Sequence, residues 1–245
     1  MAVRMLSQKP IPSRERLIVA LDVETSDEAR QLVARLGDSV VFYKLGLELF
    51  AAGNYFALVD ELVARGKRVF LDLKLFDIPE TVGRAVARLT RYGADFVTVH
   101  GNDDMIRAAV DNKKDLKILG VTVLTSLDER DIADLGFENV SIEELVLSRA
   151  RRALAAGCDG IVSSGLEVPR IRAELGDKLF VVSPGIRPVE NRAVAGDQKR
   201  VVTLEAAFTN GADYIVVGRP IRNAADPAAA AEDIQRRIGA IFASS

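Results

Sequence analysis

Short runs of β-branched and apolar residues recur along the chain, and each is followed by a stretch in which apolar positions return at helical spacing. The runs are Leu17 to Leu21, Val40 to Leu45, Arg68 to Leu73, Phe96 to Val99, Lys117 to Leu124, Gly160 to Ser163, Phe180 to Ser183 and Tyr214 to Val217, which predict eight strands. Most are almost continuously apolar, as parallel strands buried on both faces must be; strands of an antiparallel sandwich alternate more cleanly. Between them, Ser26 to Leu36, Ala51 to Arg65, Ile142 to Ala156, Thr203 to Asn210 and Ala228 to Ile241 are amphipathic and long enough to be crossover helices. Right-handed strand, helix, strand units can build an open doubly wound sheet or a closed barrel. Eight units with no interrupting domain predict the α/β class and a single-domain (β/α)8 TIM barrel. Residues 1–245 are read as that one domain, with 1–14 as a short lead-in and no linker, low-complexity tract or clear repeat.

Composition narrows the chemistry. Lys and Arg number 33 against 35 Asp and Glu, so no bulk charge favours nucleic acid or an acidic membrane surface, and any anion must be met locally. The start has scattered charges and two prolines but no apolar core of a secretory signal, and no apolar run approaches membrane-spanning length. Cys158 is alone, which excludes an internal disulfide framework and fits a reducing cytosol, so a cytoplasmic protein is expected. With His100 the single histidine, histidine-rich metal sites and Ser/His triads have little to work with, and the chemistry falls to carboxylates and lysines. No metal site and no cofactor are expected.

In such a barrel the reactive groups sit at the C-terminal ends of the strands. Those ends are unusually charged here: Asp22 on the first, Lys44 on the second, Asp72 and Lys74 on the third, His100 on the fourth, and Thr125 and Ser126 on the fifth. Asp72 and Lys74 are two apart, which on a strand points both side chains to one face, and the bracketing Leu71, Leu73 and Leu75 make that face the barrel interior. Alternating Lys44, Asp72, Lys74 and Asp77 can pair and stay ionised, although such a network is a poor route to stability, so function is the better reason to keep it. Plainer readings compete: Asp77 with Glu80 has the spacing of a capping box, Lys44 can be a solvated strand end, and His100 reads as a packed, hydrogen-bonded histidine.

The segment Asp72-Leu73-Lys74-Leu75-Phe76-Asp77-Ile78-Pro79-Glu80-Thr81 resembles the active-site signature of the orotidine 5'-monophosphate decarboxylases, at the third strand where that family carries it. Leu17 to Asp22 is similar to the family's first strand, Tyr43-Lys44-Leu45-Gly46 to its second and Val123-Leu124-Thr125-Ser126 to its fifth, so the likeness runs from Leu17 to Ile241. Ser183-Pro184-Gly185-Ile186-Arg187-Pro188, Gly196 to Arg200 and Val217-Gly218-Arg219-Pro220-Ile221 follow the seventh and eighth predicted strands, where barrels bind phosphate. Glycine lets backbone N–H groups approach the oxygens and a guanidinium binds them in a fork. Leu75 and Phe76 depart from the aromatic and histidine that many bacterial members have there.

The resemblance implies a cofactor-free decarboxylase of a nucleotide substrate, acting as a homodimer with shared active sites. Lys74 would protonate C6, Asp72 would hold Lys74 near the departing carboxylate, Lys44 would bridge the carboxylates and the ribose hydroxyls, and Asp22 would bind ribose. Thr125 and Ser126 would meet the pyrimidine, with Arg187, Gln198, Gly218 and Arg219 on the phosphate. Asp77 and Thr81 would serve the neighbouring subunit's site, and Pro188 to Gly196 would form a lid. The nearest rival is a Mg2+-dependent enzyme similar to 3-keto-L-gulonate 6-phosphate decarboxylase or hexulose phosphate synthase, which places a carboxylate at the end of the second strand where this chain has Lys44. A non-enzymatic phosphosugar-binding barrel would need the phosphate loops but not the charged cluster.

Overall fold

A computed structural model describes residues 5–137, 139–187 and 200–243; Gln198 and the Pro188 to Gly196 stretch lie outside them. Eight parallel strands close into a barrel: β1 (Leu17–Ala20), β2 (Phe42–Gly46), β3 (Arg68–Leu75), β4 (Phe96–Val99), β5 (Lys117–Val121), β6 (Gly160–Val162), β7 (Phe180–Ser183) and β10 (Tyr214–Val217). β8 (Ile186–Arg187) and β9 (Val202–Thr203) pair separately as a small two-stranded sheet at the mouth. The expected barrel is thus observed, with β10 as the eighth predicted strand.

Two layers of apolar side chains hold it together. One lies between the strands and the surrounding helices, to which Val33, Val59, Val86 and Phe208 contribute from the helical side. The other fills the barrel, where Ile18, Phe42, Phe70, Phe96, Leu119, Val182 and Tyr214 meet. Phe96 is the hub, with ring centroids 5.3 Å from Phe42, 6.0 Å from Phe70 and 5.3 Å from Tyr214, mostly in tilted or edge-on contacts that suit the ring quadrupoles. Two residues further along three of these strands, toward the C-terminal mouth, the period-two pattern delivers Lys44, Asp72 and Thr98. An aromatic floor therefore underlies a polar layer.

The other end is closed by the lead-in. Ser7 and Lys9 both hydrogen-bond the fully buried Asp213, and the Arg16 guanidinium lies 3.8 Å from the centre of the Phe242 ring. Arg172 completes the cluster with an Nη2 to Asp213 Oδ2 bond of 2.7 Å.

Several local expectations are corrected. The single helix expected over Ala51 to Arg65 is two, Leu47–Ala52 and Tyr55–Ala64, because Gly53 and Asn54 take φ of 85° and 56° and turn the chain between them. The fifth strand stops at Val121 instead of Leu124: beyond it, the carbonyls of Val123 and Leu124 accept hydrogen bonds from Arg200. The capping box at Asp77 is absent. Ile78 is the N-cap with Pro79 next, Asp77 Oδ1 accepts from the Ile78 N–H at 2.7 Å, and Glu80 pairs with Arg84.

Candidate active site

The third strand does not run evenly to its end. Leu71 pairs with Val97 and Leu75 with Val99, so β3 advances four residues while β4 advances two. Asp72, Leu73 and Lys74 thus stand against Thr98 alone. This bulge is wider than the usual one-residue insertion. Lys74 takes up the distortion with φ at 47°, in the left-handed region that costs a side-chain-bearing residue about 1–2 kcal/mol. Strain of this kind collects where a side chain must be aimed for a purpose.

What it aims is a compact ion cluster. Lys74 Nζ is 2.9 Å from Asp72 Oδ2, Lys44 Nζ is 3.5 Å from the same oxygen, and Lys44 Nζ also lies 2.9 Å from Asp22 Oδ1. Asp72 Oδ1 accepts the Thr98 hydroxyl at 2.9 Å. The Lys44 side chain is only 11% exposed, which rules out a solvated strand end, whereas Lys74 is 33% and Asp22 47% exposed toward the mouth.

Burial opposes the charge on both central groups, and in both the partners win. For Asp72, Lys44 and Lys74 together with the Thr98 hydroxyl hold the carboxyl below its ordinary range. For Lys44, Asp72 and Asp22 raise the ammonium above its ordinary value. The cluster is built to remain ionised. A Cβ on Gly46 would come within 3.3 Å of Lys44 Nζ and 3.6 Å of Asp22 Oδ1, so the absence of a side chain there leaves room for the pair.

Other expected site residues lie on the segments that follow the strands at their C-terminal ends. Gly218 follows β10 beside Asp22, whose Oδ2 would lie 3.7 Å from a Cβ there, and caps the helix that Arg219 opens. Arg187 lies in β8 of the small mouth sheet. Thr125 is buried and Ser126 half-buried in the turn after β5. Asp77 is exposed and enters no ion pair with the described residues, so three of the four charges expected to alternate meet within one chain, with Asp22 as the fourth member. His100 packs edge-on against Phe76 at 5.7 Å, but its ring has no hydrogen-bond partner among the described residues, contrary to expectation. Burial, with Arg149 and Lys74 nearby, lowers its pKa.

A further buried pair escaped the sequence reading. Arg200 Nη1 is 2.6 Å from Glu167 Oε1 and its Nη2 donates to the carbonyls of Val123 and Leu124 at 3.0 Å, fastening the approach to the Thr125 turn onto the loop after β6. Burial raises the Glu167 pKa even though Arg200 opposes it. The basic run Lys199-Arg200 was visible, but not that Arg200 turns inward.

A profile of the orotidine 5'-phosphate decarboxylase / HUMPS family matches residues 15–234. The chain belongs to that family. It is 65% identical over 239 residues to an orotidine 5'-phosphate decarboxylase of Methylococcus capsulatus, covering 98% of each chain. To one of Xanthomonas oryzae it is 51% identical, with 95% of this chain and 96% of the relative covered. Among solved structures, the orotidine 5'-phosphate decarboxylase of Lactobacillus acidophilus superposes with a TM-score of 0.81 at 36% identity, covering 91% of this chain and 99% of that one. The enzyme of that name from Pyrococcus horikoshii gives 0.71 at 26% identity over the same shares. The place between the Asp22 and Asp72 carboxylates is held by the Lys44 ammonium, which would repel a divalent cation there.

Proposed function

We propose that this chain catalyses the cofactor-free decarboxylation of orotidine 5'-monophosphate to uridine 5'-monophosphate in pyrimidine biosynthesis. The observation that carries the reading is a partly exposed ammonium, Lys74, held at 2.9 Å to a buried carboxylate above an aromatic floor. Breaking the bond from C6 to the carboxylate leaves its electron pair in an orbital that the ring carbonyls cannot delocalise. A fixed cation beside C6 stabilises that pair electrostatically as it forms, and Lys74 Nζ then donates the proton that becomes the C6 hydrogen while CO2 departs. Solvent reprotonates the lysine.

The remaining roles are those the family resemblance implies. Asp72 orients Lys74 next to the departing carboxylate; Lys44 bridges Asp72 and Asp22 and reaches the ribose hydroxyls, with Asp22 on the ribose. Thr125 and Ser126 face the pyrimidine, and Arg187, Gln198, Gly218 and Arg219 take the phosphate, whose binding energy holds the distant reactive carbon in place. Asp77 and Thr81 act in the site of the neighbouring subunit. Support for a homodimer comes from apolar side chains that face solvent in one subunit on the segments following β2 and β3: Leu47, Phe50, Phe76 and Ile78 are 48–65% exposed. Exposed apolar side chains clustered beside a site mark an interaction surface. We read residues 1–245 as one domain of a cytoplasmic enzyme acting on a nucleotide and not on nucleic acid.

One assay tests the reading: purified protein should deplete the absorbance of orotidine 5'-monophosphate at an unchanged rate with and without EDTA. Strict Mg2+ dependence with a keto-sugar phosphate as the substrate would move the assignment to the metal-dependent branch. Nucleotide binding without turnover would reduce the chain to a binding barrel.

A further inference from the structure

We infer that Thr98 is the positioning residue of the reaction centre, setting both the strained backbone of Lys74 and the rotation of the Asp72 carboxylate. The inference rests on the proposed decarboxylation and deepens it.

The argument begins with proton inventory. Thr98 Oγ1 lies 2.9 Å from the Lys74 backbone nitrogen and 2.9 Å from Asp72 Oδ1. The amide has only a proton to give, and the ionised carboxylate has only lone pairs. The hydroxyl therefore has one possible arrangement, accepting from Lys74 and donating to Asp72. A single oxygen thereby fixes the backbone of one residue and the side chain of the other.

The ladder explains why it is needed. Along β3 alternate residues bond opposite neighbours: Arg68 N donates to Val41 O on the β2 side, while Val69 O and Leu75 O accept from Asp95 N and His100 N on the β4 side, so an undistorted Lys74 would turn its N–H away from β4. The bulge and the left-handed φ of Lys74 turn that N–H toward β4 instead, where the Thr98 hydroxyl accepts it, and backbone pairing resumes immediately afterwards with His100 N donating to Leu75 O at 2.9 Å. Thr98 is fully buried, and no solvent reaches the position to substitute for it. With Asp72 Oδ1 thus engaged, Oδ2 is the oxygen left to face both lysines, at 2.9 and 3.5 Å. The two bonds thus select which way Lys74 Nζ points, and a misplacement of about 1 Å at a reacting group can cost two orders of magnitude in rate.

Thr98→Val keeps the shape and β-branching and removes both bonds; Thr98→Ser restores the hydroxyl. Orotidine 5'-monophosphate turnover should fall about ten- to a hundredfold in kcat for Thr98→Val, with KM and the Kd for uridine 5'-monophosphate within about twofold, and return to within about threefold of wild type in Thr98→Ser. Rates are normalised to uridine 5'-monophosphate binding sites, so a loss of folded protein does not imitate the effect, and Thr98→Ala serves if the valine variant fails to fold. A crystal structure of the folded variant supplies the second reading: Lys74 should leave its left-handed conformation or its contact with Asp72. An unchanged kcat in an active enzyme, an equal loss in the serine variant, or an unaltered Lys74 and Asp72 geometry would each overturn the role. Absence of turnover in the wild type fails the proposed activity alone, since the crystallographic comparison still decides whether Thr98 sets the geometry.

Discussion

The barrel buries a carboxylate near each end, and the two are treated differently. At the closed end Asp213 receives Ser7, Lys9, Arg172 and the Val181 N–H, and its cations have further acceptors: Lys9 donates to the Leu179 carbonyl and Arg172 to those of Gly176, Leu179 and Gly211. At the open end Asp72 receives Lys74, Lys44 and Thr98, but the only hydrogen-bond acceptor of Lys74 Nζ among the described residues is Asp72, and a third of the lysine side chain faces the mouth. A cluster that serves the fold saturates its donors. A cluster that serves a reaction leaves protons pointed at an empty approach, and an ammonium with three donors has them to offer.

That contrast can be broken at either end. The largest effect is expected from Lys74→Ala, which should lower kcat by at least about a thousandfold while uridine 5'-monophosphate still binds, because the ammonium matters most after the bond to CO2 begins to break. Activity near wild type would remove Lys74 from the chemistry. Mixing Lys74→Ala chains with Asp77→Ala chains sharpens the point: hybrid dimers should regain activity, and confirmed hybrids without recovery would mean that each subunit is self-contained. At the closed end Asp213→Ala should leave the kcat of folded protein near wild type but destabilise it by roughly 3–5 kcal/mol, the cost of stranding buried cations, as read by denaturant unfolding. A normal unfolding midpoint would show that the lead-in cluster is dispensable.

The smallest effect concerns His100. Its folded pKa lies below the ordinary value of about 6.5, so the neutral ring is the form the fold prefers. The associated stability is present above about pH 6.5 and is lost as pH falls through the lowered folded value. Unfolding midpoints of wild type and His100→Gln should therefore diverge across that acidic interval and run parallel above it. Parallel curves throughout would mean that the ring titrates as freely as in the unfolded chain.

Much of this was legible in the sequence because it is local. Period-two spacing correctly put Asp72 inside the barrel, continuous apolar runs marked the parallel strands, and the charged strand ends located the cluster. What stayed hidden depends on partners distant in sequence. Thr98 reads as an ordinary strand threonine until β3 slips against β4, and its contact with Asp72 spans 26 positions. Ser7 and Asp213 meet across 206. The inward turn of Arg200 toward Glu167 is likewise decided by packing, since nothing in Lys199-Arg200 distinguishes the two cations. Even the spacing argument for Lys74 was incomplete: the lysine joins Asp72 through a left-handed backbone rather than by simple alternation.

The register shift in β3 has one more implication. Because the surplus is two residues rather than one, inward and outward positions keep their parity, and the strand after it can rejoin β4 with the same face toward the core. Removing two residues from Asp72-Leu73-Lys74 would leave a sheet that is better paired than the present one and has lost the juxtaposed acid and ammonium. The reactive group is carried on a length of chain that the architecture does not require, which makes this stretch a place where a barrel can gain, lose or exchange its chemistry without being rebuilt.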